Sequence, residues 1–275
     1  MLIHETISGL RAARAKAGRV ALVPTMGNLH EGHIALMTQA RAHADQVIAT
    51  IFVNRLQFRP GEDFEAYPRT FEADCAKLEA AGVEHLFAPD EAEMYPQPQA
   101  YQVEPPPDQA GVLDGEFRPG HFRGVATVVM KLFQIVQADV ALFGKKDYQQ
   151  LMVIRNMVRE FNLPLEIVPG ETVRAADGLA LSSRNGYLSA KERAEAPRLY
   201  KLLSELAAEV RQGARNYAEL EAKTMNILSL NGWVPDYVAL RKKLDLQSPS
   251  AHDSGLVLLA AARLGTTRLI DNLEV

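Results

Sequence analysis

Cysteine is almost missing from this chain: Cys75 is the only one. No disulfide can close within it, which excludes a cysteine-stapled secreted scaffold and points to a reducing compartment, the cytoplasm. Long apolar runs are missing too, and none approaches the roughly 20 residues that span a bilayer. Residues 1–5 lack the basic start and apolar core of a signal peptide. There is no excess of positive charge. Lys and Arg number 30 against 34 Asp and Glu, a formal charge of −4, so neither nucleic acid nor an anionic membrane is an expected partner. Internal repeats, a G-x-G-x-x-G dinucleotide fingerprint and a Walker A loop are all absent. What remains is a soluble globular composition, 47% hydrophobic and 23% charged over 275 residues, enough for one large domain or two ordinary ones.

Strand-like and helix-like segments alternate through the first two thirds. Apolar, β-branched runs at 20–23, 47–53, 84–88, 140–143 and 165–168 read as strands. Helical periodicity covers 34–44, 64–81, 125–136 and 148–161, and 95–109 is a proline-rich surface loop. This rhythm predicts an α/β fold, a Rossmann-like doubly wound parallel sheet, with its ligand crevice at the carboxyl ends of the strands. Near residue 172 the rhythm changes. A polar loop at 174–185, helices at 190–211 and 217–231, and short strands at 234–240, 256–262 and 268–270 predict a smaller α+β domain. The expected division is 1–172 and 173–275.

Four strand ends carry the chemistry. The first is Pro24-Thr25-Met26-Gly27-Asn28-Leu29-His30-Glu31-Gly32-His33. It sets two imidazoles where a strand becomes a helix, a place where unpaired backbone N–H groups and the helix dipole favour phosphate. Gly27 and Gly32 allow close approach of a ligand. The second puts Asn54 and Gln57 beyond a strand. The third, Gly144-Lys145-Lys146-Asp147-Tyr148-Gln149-Gln150, brings two lysines to a helix start, where a bound anion would offset their unfavourable position against the helix dipole. The fourth is the loop Leu181-Ser182-Ser183-Arg184-Asn185. Alone each has an ordinary explanation: H-x-x-H as polar decoration, S-S-R-N as a polar loop, Cys75 as a core residue beside Phe71 and Leu78. Together they supply imidazoles, an ammonium, a guanidinium, hydroxyls and amides, a set suited to a polyphosphate and a small anion. A zinc hydrolase fails on spacing, because His30 and His33 are one residue too close for a zincin helix.

Read in order, these segments resemble the pantoate–β-alanine ligase (pantothenate synthetase) family of the nucleotidyltransferase superfamily with HIGH-type motifs. The resemblance extends through Arg118-Pro119-Gly120-His121-Phe122-Arg123-Gly124-Val125, 177–188 and the closing Arg268-Leu269-Ile270-Asp271-Asn272. It implies condensation of pantoate with β-alanine, with ATP and Mg²⁺, to pantothenate, AMP and diphosphate through a pantoyl adenylate, in a homodimer. It implies that Met26, Gly27, Asn28, Leu29, His30, Glu31, Gly32 and His33 bind ATP, with His33 as proton donor. Gly144, Lys145, Lys146 and Asp147 would form a second ATP segment, and Val173, Leu181, Ser182, Ser183 and Arg184 a third. His30, Lys146, Ser183 and Arg184 join His33 in the catalytic set. Gln57 and Gln150 would hold pantoate, with Gln57 also near β-alanine. No metal ligand is indicated.

Two positions depart from the family pattern. Arg55 stands where proline is usual, which predicts a looser Gln57. Lys145 stands where glutamate is usual, which predicts added positive charge near the triphosphate. The alternatives are another nucleotidyltransferase that joins a nucleotide to a phosphate, and a nucleotide-binding module without turnover.

Overall fold

The computed structural model describes residues 1–275. Six strands form one parallel sheet: β1 (Leu2–His4), β2 (Val20–Thr25), β3 (Gln46–Ile51), β4 (His85–Phe87), β5 (Val140–Gly144) and β6 (Glu166–Gly170). Their order is β1-β4-β3-β2-β5-β6. From β2 the chain winds outward through β3 to β4, and from β5 outward through β6. The direction reverses between β2 and β5, and in doubly wound sheets ligands bind outside the strand carboxyl ends at such a reversal. The inner strands β2 to β5 are buried on both faces, which explains their near-continuous apolar runs. Val23, Leu142 and Val47 pack with Leu29 and Met37 from the loop and helix that follow β2.

Residues divide into two compact units: Met1–Gly144 with Val153–Glu171, and Lys145–Met152 with Thr172–Val275. In the second unit β7 (Trp233–Lys242), β8 (Leu256–Leu264) and β9 (Thr267–Glu274) form an antiparallel sheet. Its apolar face packs with Leu199, Leu203, Leu206 and Leu228 from two helices. The α/β architecture with a smaller C-terminal α+β part is as expected.

Several elements differ in extent. The helix expected over 64–81 occupies only Phe71–Ala80, because Pro68 excludes regular helix ahead of it. The helix expected over 190–211 is two, Ala190–Glu195 and Arg198–Arg211, divided at Pro197. Strand β1 and the helix Ile7–Arg14 were not anticipated. Cys75 is only partly buried, and Phe71 beside it is exposed. No helix is long and apolar enough to cross a membrane.

Candidate active site

The helix after β2 begins at Glu31, earlier than expected, so His30 is its N-cap and His33 lies in its first turn. His30 Nδ1 accepts the Gly32 N–H at 3.1 Å, and His33 Nδ1 accepts the His30 N–H at 3.2 Å. This is a reciprocal capping box built from two imidazoles. The rings lie 4.1 Å apart at 35°. Two of the amides expected to meet phosphate directly are therefore engaged by histidine. With Nδ1 accepting on each ring, a neutral imidazole carries its donor proton on Nε2.

The loop ahead of this helix is held from within the same unit. Gly27 has φ +82, a left-handed conformation that favours glycine, and a Cβ there would press tightly on Asp74 Oδ2 and Ile51 Cγ2, each at 3.2 Å. Asn28 is also left-handed, with φ 49. Asp74 is fully buried. It accepts the N–H groups of Asn28 and Leu29, each at 2.8 Å, and the Thr70 hydroxyl at 3.0 Å. Lys77 Nζ donates to the Leu29 carbonyl at 2.5 Å. Sequence reasoning missed both residues. The one local sign of Asp74, an acidic side chain early in a helix, is common at helix N-termini, and Lys77 is an ordinary basic residue in the last turn.

Beyond β3, Asn54 caps the short turn Arg55–Gln57. Asn54 Nδ2 donates to Gln57 Oε1 at 3.0 Å and to the Gly124 carbonyl at 3.2 Å, while Asn54 Oδ1 accepts the Tyr95 hydroxyl at 2.8 Å. Gln57 Nε2 faces Met26 Sδ at 3.2 Å. Arg55, which stands where proline is usual, points away from this turn to partners of its own. Its guanidinium reaches Glu65 and Glu91, each at 3.3 Å, and lies 4.0 Å over the Phe64 ring. Behind the turn stands a partly buried ionic cluster. Glu62 holds Arg118 through two bonds of 3.0 and 2.7 Å. Burial pushes the Glu62 carboxyl up, but its bonds to Arg118 and Arg59 outweigh this and hold it at about 2. Burial and the Arg118 charge push His121 down to about 4.

In the second unit Asn272 Nδ2 donates to the carbonyls of Lys145 and Lys146 at 2.9 and 2.8 Å, fixing the turn Lys145–Asp147. The Lys145 ammonium lies 3.6 Å from Glu274, which offsets its added charge. Gln150 sits on the first turns of the helix Tyr148–Glu160, partly exposed. The Leu181 N–H bonds the Val173 carbonyl at 3.0 Å, so Val173 and the segment 181–184 lie side by side. Ser182 Oγ caps the turn Ser183–Tyr187 through the Arg184 N–H. Arg174 anchors this hairpin to Asp271 with two bonds of 2.7 and 2.9 Å. Of the expected residues, 26–33 and Gln57 are thus gathered in the first unit, where Gly144 ends β5. Lys145, Lys146, Asp147, Gln150, Val173 and 181–184 belong to the second.

No group of three or more His, Cys, Asp or Glu side chains is placed to hold a metal ion. The donor set therefore does not form a protein cage for Mg²⁺.

Comparison with known proteins fits this geometry. The family profile described as pantoate–β-alanine ligase matches residues 2–274. A pantothenate synthetase of Chromobacterium violaceum is 60% identical over 276 residues, covering 100% of this chain and 99% of its own. A crystal structure of pantothenate synthetase from Thermus thermophilus superposes with a TM-score of 0.94 at 46% identity, covering 100% of this chain and 99% of that one. A pantoate–β-alanine ligase from Francisella tularensis, complexed with β,γ-ATP and β-alanine, gives 0.80 at 33% identity, covering 100% and 97%. The chain belongs to the pantoate–β-alanine ligase family.

Proposed function

We propose that the strand-end residues described above carry the family's reaction in this chain, through a pantoyl adenylate. The enzyme is an ATP-dependent ligase that joins pantoate to β-alanine. A free carboxylate is a poor acylating agent, because its oxygen leaves badly. In the first step a pantoate carboxylate oxygen attacks the α-phosphorus of ATP. The new P–O bond forms as the bond to the β-phosphate breaks and diphosphate leaves. In the second step the neutral amine of β-alanine attacks the acyl carbon, AMP leaves with the C–O electron pair, and the amine loses a proton.

Two anions meet in the first step, so positive charge and donors must converge on the phosphates. Lys146 and Arg184 supply the charge, and Ser182 and Ser183 supply hydroxyl donors. His30 and His33 present Nε2–H, with His33 as proton donor. Val173, Leu181 and the segments 26–33 and 144–147 hold the nucleotide. Gln57 and Gln150 hold pantoate, and Gln57 is also near β-alanine. Mg²⁺ accompanies ATP with phosphate and water as its ligands. A homodimer and a cytoplasmic location complete the reading, the second supported by the single cysteine.

The observation that carries this assignment is the reciprocal imidazole capping of His30 and His33 after the strand beside the sheet reversal. The test is exchange of labelled diphosphate into ATP with Mg²⁺ and without β-alanine. Exchange that requires pantoate supports adenylation of that carboxylate. Exchange without pantoate, or none from folded protein that binds ATP, overturns it.

A further inference from the structure

The segment Arg118–Val125 takes no part in the chemistry above, yet it forms the back of the Gln57 turn. His121 Nδ1 lies 2.9 Å from the Gln57 carbonyl oxygen, so that nitrogen donates. Its Nε2 then accepts from Arg118 Nη1 at 3.1 Å. Arg118 Nη2 reaches the same Gln57 carbonyl at 3.4 Å. Glu62 fixes the guanidinium from the other side with its two bonds. A continuous line therefore runs from the Glu62 carboxylate through Arg118 and His121 to the Gln57 backbone.

The next turn of the same helix closes the gap. A Cβ on Gly124 would stand 2.2 Å from the Leu56 carbonyl oxygen and 2.7 Å from Gln57 Cα, so only glycine lets the helix back this closely onto the turn. The Gly124 carbonyl in turn accepts from Asn54, which orients the Gln57 amide. Main chain and side chain of Gln57 are thus fixed by separate partners. A partly buried ion pair is weak evidence of a stabilising role, because desolvation offsets much of its attraction. Its placement here sets a direction for one residue.

From this geometry we infer that His121 and Arg118, braced by Glu62, are positioning residues that hold Gln57 in register for the two small substrates. The inference rests on the reading of Gln57 as their amide contact. His121 does not touch substrate in this role; it acts through the Gln57 carbonyl.

The test compares His121→Leu, which fills the ring's space without a donor, with His121→Asn, whose Nδ2 can donate where the ring Nδ1 does. Each is made alone and with Gln57→Ala. His121→Leu is expected to lower kcat/KM for pantoate and β-alanine by about 10- to 100-fold, as for a catalytic contact displaced by about an ångström. KM for ATP should stay within about twofold, and His121→Asn should recover most of the loss. In the Gln57→Ala background, His121→Leu should cost less than about twofold more, because the interaction it serves is gone. Multiplying losses, or equal behaviour of the Leu and Asn variants, overturns the inference while leaving Gln57 as a substrate contact. A Gln57→Ala enzyme with unchanged kcat/KM for both small substrates overturns the reading of Gln57 itself. If His121→Leu does not fold, Glu62→Gln carries the same comparison, and its losses must also vanish in the Gln57→Ala background.

Discussion

Replacing Asp74 with asparagine should unfasten the loop that leads into the two histidines. The carboxylate accepts from Leu29 on one oxygen and from Asn28 and Thr70 on the other. An amide has one acceptor oxygen, so whichever way it turns, its NH₂ faces a donor. If Nδ2 replaces Oδ1, the buried Leu29 N–H is orphaned. If it replaces Oδ2, the Asn28 N–H is orphaned, while the Thr70 hydroxyl can rotate. One unsatisfied buried donor costs about 1–3 kcal/mol, and the surviving bonds lose the extra strength that an ionised acceptor gives, about 1 kcal/mol more. The sum is about 2–4 kcal/mol. At about 2–4 °C per kcal/mol for a protein of this size, Tm should fall by about 4–16 °C. The loop sets the capping geometry of His30 and His33, so pantoate-dependent diphosphate exchange should fall by about 10- to 100-fold in protein still folded at the assay temperature. Thermal denaturation and exchange measured on the same preparation decide the matter. A Tm within about 1 °C of the parent with exchange within twofold would refute the argument that Asp74 holds the loop.

Three further outcomes follow. His33→Ala should lower turnover by at least about 100-fold, the range for losing one acid–base or transition-state donor; a loss below tenfold in steady-state assay contradicts its catalytic role. Lys146→Ala should slow adenylate formation more than the amine step, and rapid-quench traces with equal losses in both would remove it from the phosphate site. The His121 imidazole, held at about 4 by burial and Arg118, stays neutral in the folded protein while the unfolded chain takes a proton near pH 6.5. Stability should therefore fall as pH drops from about 6.5 to about 4, by about 3 kcal/mol at full extent. His4 and His85, also held low by burial, contribute in the same sense, so His121→Asn should reduce that slope in urea titrations, and an unchanged slope would assign it elsewhere.

How much of this was legible depended on distance along the chain. The segment 24–33 could be read at once, because strand, glycine, cap and both histidines fall within ten residues. The helix limits at Pro68 and Pro197 were also legible, but apolar periodicity running through both prolines masked them. Strand β1 has only three residues, too few for any alternation to register. The residues that brace the site were not legible in the same way. Asp74 acts on Asn28 across 46 positions and Asn272 on Lys146 across 126. Each looks ordinary where it stands, since its role is defined by a backbone group elsewhere. Arg55 was legible only in part. Its departure from proline is visible in the sequence, but the two carboxylates and the aromatic face that its guanidinium meets are not.

The division of the chain also bears on how such an enzyme could be inherited. The polypeptide passes from one compact unit to the other after Gly144, Met152 and Glu171. A recombination event joining foreign sequence at residue 172 would bring a new tail to an old Lys145–Met152 segment. The donor's equivalent of Asn272 would have to meet the carbonyls of Lys145 and Lys146, and that of Glu274 the Tyr148 hydroxyl. A tail exchanged at residue 172 would therefore have to match the Lys145–Met152 segment with which it forms one compact unit.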